Sequence, residues 1–164
     1  MSDYRSQKVV QIIMGSASDY PVMKEAEAFL TKMGIGFVTQ VLSAHRTPLE
    51  VIEFAKHCKK EGTKVIIAGA GGAAHLAGMV AAVTELPVIG VPVPMGAMKG
   101  EDALWSTIQM PQGVPVATVA IGNAWNAGVL AAQILATASE NEELGEKLRN
   151  YKEELRQKVL STKL

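Results

Sequence analysis

The chain has 164 residues, enough for one domain with a substantial buried core. Its 16 basic and 16 acidic side chains cancel, so no charge surplus is available to hold nucleic acid or an anionic membrane surface. The only cysteine, Cys58, excludes an intramolecular disulfide framework, and the polar N-terminus has no apolar signal segment. We therefore expect a cytoplasmic protein with one domain over residues 1–164.

Two long stretches, residues 65–83 and 113–138, carry no Asp, Glu, Lys or Arg. Glycines interrupt the first, while proline, asparagine and glutamine interrupt the second. Each stretch is therefore better explained as a buried strand, a turn and a helix than as a membrane span. A hydrophobic content of 48% with 15 glycines nevertheless exceeds what a small monomer readily buries. We expect part of this apolar surface to be buried between subunits.

Apolar runs alternate with segments of helical periodicity along the chain. The predicted strands are residues 8–14, 36–42, 65–68, 87–91 and 116–121, and the predicted helices are residues 19–33, 48–61, about 75–84, 101–109, 123–138 and 142–160. Asp19 and Pro21 are expected to begin the first helix, and Gly34 to end it. A capping box at Thr47–Glu50 is expected to begin the second helix, and residues 139–142 to cap the last.

This alternation indicates an α/β protein with a parallel sheet. Right-handed crossovers leave few strand orders, and we predict a three-layer α/β/α flavodoxin-like fold with a five-stranded parallel sheet over residues 8–138. An extra C-terminal helix, within residues 139–164, carries a narrow apolar stripe on a charged surface. The sequence leaves two arrangements open: this helix folds back on its own domain, or it is an arm that packs on a neighbouring subunit.

The first strand-to-helix loop carries polar residues that suit a phosphorylated ligand. Ser16 and Ser18 offer hydroxyls for phosphate oxygens, and Asp19 offers a carboxylate for sugar hydroxyls. Taken alone, a Ser-X-Ser-Asp run before a helix is more often simple capping. Whether this run binds a ligand or only caps the helix depends on the other loops that emerge at the same edge of a parallel sheet.

The second loop supplies charge and a proton-exchanging group. Arg46 provides a positive charge for a phosphate, and Ser43 adds another hydroxyl. His45 can exchange a proton near neutral pH. A single histidine in a loop usually has no such role, but its position beside Ser43 and Arg46 at a strand end favours function.

The third loop, GAGGAA at residues 69–74, fits the dinucleotide-binding pattern G-x-G-x-x-A. It follows the third strand, however, and no acidic residue ends the next strand to bind a ribose. We therefore interpret it as backbone brought close to a small ligand. His75 begins the following helix, where packing and catalysis are both open. The three histidines and Cys58 lack the spacing of a metal site.

Four motifs occur in order: GSASD at residues 15–19, SAHRTP at 43–48, GAGGAAHL at 69–76, and QMP at 109–111 with GVPV at 113–116. From about Val9 to Leu135 the chain closely resembles the N5-carboxyaminoimidazole ribonucleotide mutases of bacterial purine synthesis. The resemblance implies an isomerase without cofactor that moves a carboxyl group from the exocyclic nitrogen to ring carbon 4 of aminoimidazole ribonucleotide, with trapped CO2 between the two steps. It also implies a homo-octamer with sites at subunit contacts and a contribution from a neighbour near Met110.

The resemblance also implies roles for individual residues. His45 would shuttle the proton between the nitrogen and the ring carbon. The phosphate would be held by Ser16, Ser18, Ser43 and Arg46, and the ribose hydroxyls by Asp19. The third loop would hold the migrating carboxylate and CO2 without a metal, and its substrate-binding residues would be Ala70, Gly71, Gly72, Ala73, His75 and Leu76.

Some positions depart from the family pattern. Ala77 stands where proline is common, Trp105 is larger than usual, and the loop at residues 122–126 is short. Two other functions stay open: an aminoimidazole ribonucleotide carboxylase that uses free CO2, and a non-catalytic phosphate-binding module. In the carboxylases the second loop resembles a form with lysine, and the Gly-Gly-Ala-Ala-His run is absent. Arg46 and His75 therefore favour the mutase.

Overall fold

The computed structural model describes residue 4, residues 7–138 and residues 141–163. Its strands are β1 (Lys8–Met14), β2 (Gly36–Val41), β3 (Val65–Gly71), β4 (Val88–Val93) and β5 (Ala117–Thr118). Its α-helices are α1 (Tyr20–Met33), α2 (Pro48–His57), α3 (Leu76–Ala81), α4 (Glu101–Ile108), α5 (Ala124–Ala138) and α6 (Glu142–Leu160). A short 3-10 turn, Ala17–Asp19, precedes α1.

The strands form one parallel sheet in the order β2-β1-β3-β4-β5. The predicted flavodoxin-like α/β fold is therefore confirmed. Helices α1, α5 and α6 share one apolar core with the sheet, while α2 and α3 enclose a second core on the other face. Because β1 lies between β2 and β3, the loops that follow these three strands meet at the carboxyl edge of the sheet.

Helix α1 packs closely on β3 because Gly69 has no side chain. A Cβ at this position would lie 2.2 Å from Sδ of Met23, which is fully buried. The carbonyl of Gly69 also accepts a hydrogen bond from the backbone N–H of Gly15, at 3.1 Å. The start of the first loop is thus fixed to the end of β3.

The two central strands extend further toward the carboxyl edge than predicted. Strand β3 continues to Gly71 and β4 to Val93, because these segments pair in register to their ends. The prediction that β3 ends at residue 68 is wrong, since the glycines there take part in the ladder. Only from Gly72 onward, where φ is +64°, does the chain leave the sheet.

Three other boundaries differ from the sequence prediction. Helix α2 ends at His57, not at residue 61, because the chain turns through residues 58–62 to Gly62 with φ of +96°. Helix α3 covers only Leu76–Ala81 instead of residues 75–84. Strand β5 is reduced to Ala117–Thr118, since it pairs only with two residues of β4 at the edge of the sheet.

The caps of the first two helices are also arranged differently. Thr47 makes no side-chain bond to the start of α2, so the predicted capping box is wrong. Its hydroxyl instead accepts from the Ser43 N–H at 2.9 Å and donates to the Ser43 carbonyl at 3.1 Å, which closes the second loop on itself. Asp19 makes no side-chain cap of α1, although Pro21 lies in the first turn and Gly34 ends the helix with φ of +72°, as predicted.

The first half of α6 folds back on its own domain. Asn141 caps its start, whereas residues 139 and 140 of the predicted cap lie outside the described residues. The ring of Phe29 makes edge contacts with Trp125 and Tyr151, each at 5.2 Å between centroids, and Trp125 Nε1 donates to the Tyr151 hydroxyl at 2.8 Å. These contacts bind α6 to α1 and α5.

The second half of α6 is not covered by its own domain. From residue 152 to residue 163 every side chain is exposed, including Val159, which is 74% exposed, and Leu160, which is 64% exposed. The first half therefore takes the first of the two arrangements left open by the sequence, and packing of the second half on a neighbouring subunit stays a prediction. No helix among the described residues is long and apolar enough to cross a membrane.

Candidate active site

A pocket of about 230 Å³ opens at the carboxyl edge of the sheet, where the three loops meet. Its lining includes every residue that the sequence proposed for the site except Gly72: Ser16, Ser18, Asp19, Ser43, His45, Arg46, Ala70, Gly71, Ala73, His75 and Leu76. Gly15, Ala44 and Met95 complete the lining. The fold thus brings residues from three separate motifs to one cavity.

The first loop forms a tight turn around two hydroxyls. The Ser18 hydroxyl donates to Oγ of Ser16 at 2.9 Å, and the Ser18 N–H reaches the same oxygen at 3.3 Å. The Asp19 carboxylate reaches back to the backbone N–H of Ser16, at 3.0 Å from Oδ2. A capping box therefore exists here, one turn earlier than the start of α1.

Asp19 is the buried acid of the site. Its side chain is only 1% exposed, and Oδ1 has no hydrogen-bond partner among the described residues. Burial raises the pKa of this carboxyl above its ordinary value of 3.8, although the bond from Ser16 and the charge of Arg46 act in the opposite direction. Asp19 lines the pocket, and its carboxylate is the acceptor that the site offers to a ligand hydroxyl.

The second loop holds Arg46 in place through its neighbours. Nη2 of Arg46 donates to the carbonyl of Gly15 at 2.7 Å, and Nε donates to Oγ of Ser43 at 3.1 Å. The side chain thereby links the first loop to the second. Its remaining N–H groups are open to solvent and can contact an anion in the pocket.

His45 and His75 come from loops 30 residues apart and form a direct contact. Nε2 of His45 lies 2.9 Å from Nδ1 of His75, and the two rings are nearly perpendicular with centroids 5.0 Å apart. The sequence left His75 open between packing and catalysis. The pairing places it beside the proton-exchanging group at the pocket, with both rings exposed to solvent.

The third loop passes close to the segment after β4. A Cβ at Gly71 would lie 2.4 Å from Sδ of Met95, so glycine permits this approach. Three lining residues were not predicted for the site. Gly15 and Ala44 lie within motifs that the sequence singled out, whereas Met95 lies outside all of them. The strand order is what indicates its position in the pocket. Met95 follows β4, the strand next to β3, and so emerges at the same edge of the sheet.

Metal ligands do not cluster here. Among the described residues, no group of three or more His, Cys, Asp or Glu side chains is arranged to hold a metal ion. The polar chemistry of the pocket therefore consists of serine hydroxyls, one buried carboxylate, one guanidinium and two imidazoles. This set can bind a phosphorylated sugar and move a proton.

Known proteins share both the sequence and the fold. The chain matches the family described as AIR carboxylase over residues 9–158. It is 56% identical over 151 residues to the N5-carboxyaminoimidazole ribonucleotide mutase of Thermotoga maritima, covering 92% of this chain and 87% of that protein. It is 53% identical over 155 residues to the mutase of the same name from Saccharolobus solfataricus, covering 94% of this chain and 97% of that protein.

A solved structure supports the same relationship. Treponema denticola PurE superimposes with a TM-score of 0.84 at 29% identity, covering 94% of this chain and 95% of that chain. The resemblance inferred from the four motifs is confirmed by these matches. The chain therefore belongs to the AIR carboxylase family, together with relatives that are named N5-carboxyaminoimidazole ribonucleotide mutases.

Proposed function

We propose that the protein converts N5-carboxyaminoimidazole ribonucleotide to 4-carboxy-5-aminoimidazole ribonucleotide in purine synthesis. The observation that carries this function is the pocket, where a cradle of hydroxyls and one arginine lies beside two hydrogen-bonded histidines. The names of relatives that are more than half identical in sequence support the choice of substrate. No observation favours a purely binding role.

The reaction needs one group that gives a proton and takes one back. The bond between the exocyclic nitrogen and the carbamate carbon breaks, which releases CO2 and leaves an electron pair on the nitrogen, and this nitrogen takes a proton. Ring carbon 4 then bonds to the same CO2 and loses its proton. The carboxyl group moves from nitrogen to carbon, and a proton moves the other way. His45 performs both proton transfers and ends in its original state.

His75 orients the ring that performs these transfers. Only one hydrogen fits between the two facing nitrogens, so one ring donates while the other accepts. The hydrogen bond therefore couples the tautomers of the two rings and limits rotation of His45. Its length of 2.9 Å is that of a well-formed bond.

The rest of the substrate is held by the first two loops. Ser16, Ser18, Ser43 and Arg46 bind the 5′-phosphate, for which the free N–H groups of the guanidinium are suited. The carboxylate of Asp19 accepts from the ribose hydroxyls, and its place in the pocket lining supports this role. These groups bind parts of the nucleotide that do not change during the reaction.

The third loop holds the migrating group. The backbone N–H of Ala73 has no acceptor among the described residues, so it is available to a carboxylate. Donors already fixed in position stabilise the charge that develops on the carboxyl oxygens. Ala70, Gly71 and Leu76 form the apolar wall beside them, which suits uncharged CO2.

A neighbouring subunit completes the enclosure. The pocket of one chain is open, with His45, Arg46 and His75 all exposed, whereas CO2 must be retained between the two steps. We place the segment around Met110 and Pro111 of a second copy over this opening. Within its own chain this segment lines no part of the pocket.

We assign the assembly as a homo-octamer that acts in the cytoplasm. Large apolar side chains remain exposed on one chain and would be buried on assembly: Leu49, Met98, Trp105, Ile108, Val159 and Leu160. The second half of α6 is the arm that reaches a neighbour. Light scattering coupled to size exclusion measures the mass, and a monomer at assay concentration would contradict the assembly.

The function is tested by following both ribonucleotides with the purified protein, without ATP, added metal or biotin. We expect interconversion in both directions, and a carbon label in the carbamate should stay in the product when unlabelled bicarbonate is present. Turnover that occurs only with added bicarbonate would replace the mutase with the carboxylase that uses free CO2. Binding of the ribonucleotides without any turnover would instead support a non-catalytic phosphate-binding module.

The role of His45 is tested by His45→Asn, with His57→Asn as the matched control. His57 lies on α2, where its Nδ1 is 2.8 Å from the Glu53 carbonyl, and it does not line the pocket. We expect His45→Asn to lose turnover by about 100-fold or more while it still binds aminoimidazole ribonucleotide. Near-normal turnover of His45→Asn would remove this residue from the mechanism.

A further inference from the structure

Ser106 lies behind the third loop and joins it to α4. Its Oγ accepts a hydrogen bond from the backbone N–H of Ala74 at 2.9 Å, across 32 residues of sequence. The same oxygen lies 3.3 Å from the carbonyl of Gly72. Ser106 is not part of the pocket lining, and the four motifs of the sequence do not include it. We propose that Ser106 is a positioning residue, which fixes the third loop and thereby His75.

The hydroxyl of Ser106 is well suited to act as a fixed acceptor. It has one hydrogen, and the shortest carbonyl contact is to Asp102 one turn earlier on α4, at 2.7 Å. With its hydrogen bound to the helix, the oxygen presents lone pairs to the loop. The N–H of Ala74 is therefore held by a rigid helix and not by a second flexible loop.

The loop has few other attachments at this point. Gly72 has φ of +64°, a conformation in which glycine is unstrained, and the N–H of Ala73 has no acceptor among the described residues. The side chain of Ala74 is buried, at 2% exposure. Ala74 is thus the anchor of the loop, and Ser106 bonds to its backbone.

His75 follows this anchor directly. Its Nδ1 lies 2.9 Å from Nε2 of His45, so a shift of Ala74 changes the distance between the two rings. The same shift moves the N–H of Ala73 relative to the migrating carboxylate. A displacement of about 1 Å at a reacting group lowers a rate by up to about 100-fold.

This inference rests on the proposed function and predicts a specific kinetic pattern. The nucleotide is held by the first and second loops, which Ser106 does not contact. Loss of the Ser106 hydroxyl should therefore lower kcat by about 10- to 100-fold and change KM by less than about twofold. A general loss of structure would not separate the two constants in this way.

The experiment compares Ser106→Ala and Ser106→Thr with the control Thr107→Val. The hydroxyl of Thr107 donates only to the Ala103 carbonyl of its own helix, at 2.7 Å, and is buried. The control thus removes a hydroxyl from the adjacent position of α4 without contact to the loop. We expect Thr107→Val to keep kcat within about twofold, and Ser106→Thr to restore it to within about threefold of the original.

Hydrogen–deuterium exchange supplies a readout that does not depend on activity. The exchange rate of the Ala74 N–H is followed in a peptide spanning residues 72–76. This rate should rise in Ser106→Ala and stay the same in Thr107→Val, because the N–H is protected by its hydrogen bond to Ser106. If the unsubstituted protein did not interconvert the ribonucleotides, the proposed function would fail, and the exchange would still decide the role of Ser106 in the loop.

Three results would overturn the inference. The first is a Ser106→Ala variant with unchanged kcat or unchanged exchange at residues 72–76. The second is an equal loss of kcat in Thr107→Val, which would point to α4 as a whole. The third is a Ser106→Thr variant as slow as Ser106→Ala, since threonine retains the acceptor oxygen.

Discussion

Replacing Asp19 by asparagine should make the free protein more stable and its complex with the nucleotide weaker. The carboxylate is 1% exposed, Oδ2 accepts from the N–H of Ser16 at 3.0 Å, and Oδ1 has no hydrogen-bond partner among the described residues. Asparagine has nearly the same shape and can accept the same hydrogen bond through its carbonyl oxygen. The substitution therefore removes a buried charge while it leaves the turn before α1 intact.

The two effects can be estimated separately. Burial disfavours the charged carboxylate, and the attraction of Arg46 offsets part of this cost. The amide NH2 of asparagine at the position of Oδ1 would itself lack an acceptor, so the net gain should be no larger than about 1 kcal/mol. A net gain of about 1 kcal/mol would raise Tm by about 2–4 °C for a chain of this length. A hydrogen bond between a charged acceptor and a ribose hydroxyl contributes about 1.5–3 kcal/mol, so Kd should rise by about 10- to 100-fold.

The gain in stability should depend on pH in a defined direction. Burial raises the pKa of Asp19 in the folded state above its ordinary value of 3.8. The folded protein then binds the proton more tightly than the unfolded chain does. The stabilisation from this proton is complete below the ordinary pKa and is lost as pH rises through the raised pKa. The advantage of Asp19→Asn should therefore be largest at pH values above the raised pKa and should shrink as pH falls toward the ordinary pKa.

Thermal unfolding at pH 5, 6.5 and 8, with calorimetric binding of aminoimidazole ribonucleotide, measures both effects. A variant that is less stable than the original at pH 8 would refute the reasoning about the buried charge. An advantage that grows as pH falls would refute the direction of the pKa shift. Unchanged affinity would remove Asp19 from the ribose site while leaving the argument about stability in place.

Two further predictions concern other contacts. Arg46→Lys replaces Nε and Nη2, which bond to Ser43 and Gly15 from separate positions, with one nitrogen that cannot occupy both. KM should therefore rise by about tenfold with a smaller change in kcat, and steady-state kinetics with an unchanged KM would contradict this. Tyr151→Phe leaves Trp125 Nε1 without its acceptor, so urea unfolding should show a loss of about 1 kcal/mol with normal kcat, whereas unchanged stability would show that this bond does not hold α6.

Local features of the sequence were sufficient for most of the architecture. Continuous apolar runs such as Lys8–Met14 predicted buried strands, and Gly34 correctly marked the end of α1. The strand order followed from the handedness of crossovers and was confirmed. Element ends were less predictable, because Gly69 and Gly71 continue the β3 ladder although glycine usually marks a turn.

The composition of the pocket was also predictable, since loops after neighbouring parallel strands converge. The sequence motifs named nearly all of its lining, from Ser16 in the first loop to Leu76 after the third. Met95 was not assigned to the pocket, because residues 94–98 carry no side chain whose chemistry pointed to it. Only its place after β4 did so.

Residue types and their spacing thus determined by themselves the fold class, the edge at which the site lies, and the groups available there. The tertiary structure alone decided which groups touch: His45 with His75, Ser106 with Ala74, and Trp125 with Tyr151. It also decided that Asp19 is buried, with one oxygen that has no partner in the part of the chain that the structure describes. Periodicity reports which face of an element is covered, whereas such pairings depend on side-chain directions and distances across elements that are remote in sequence.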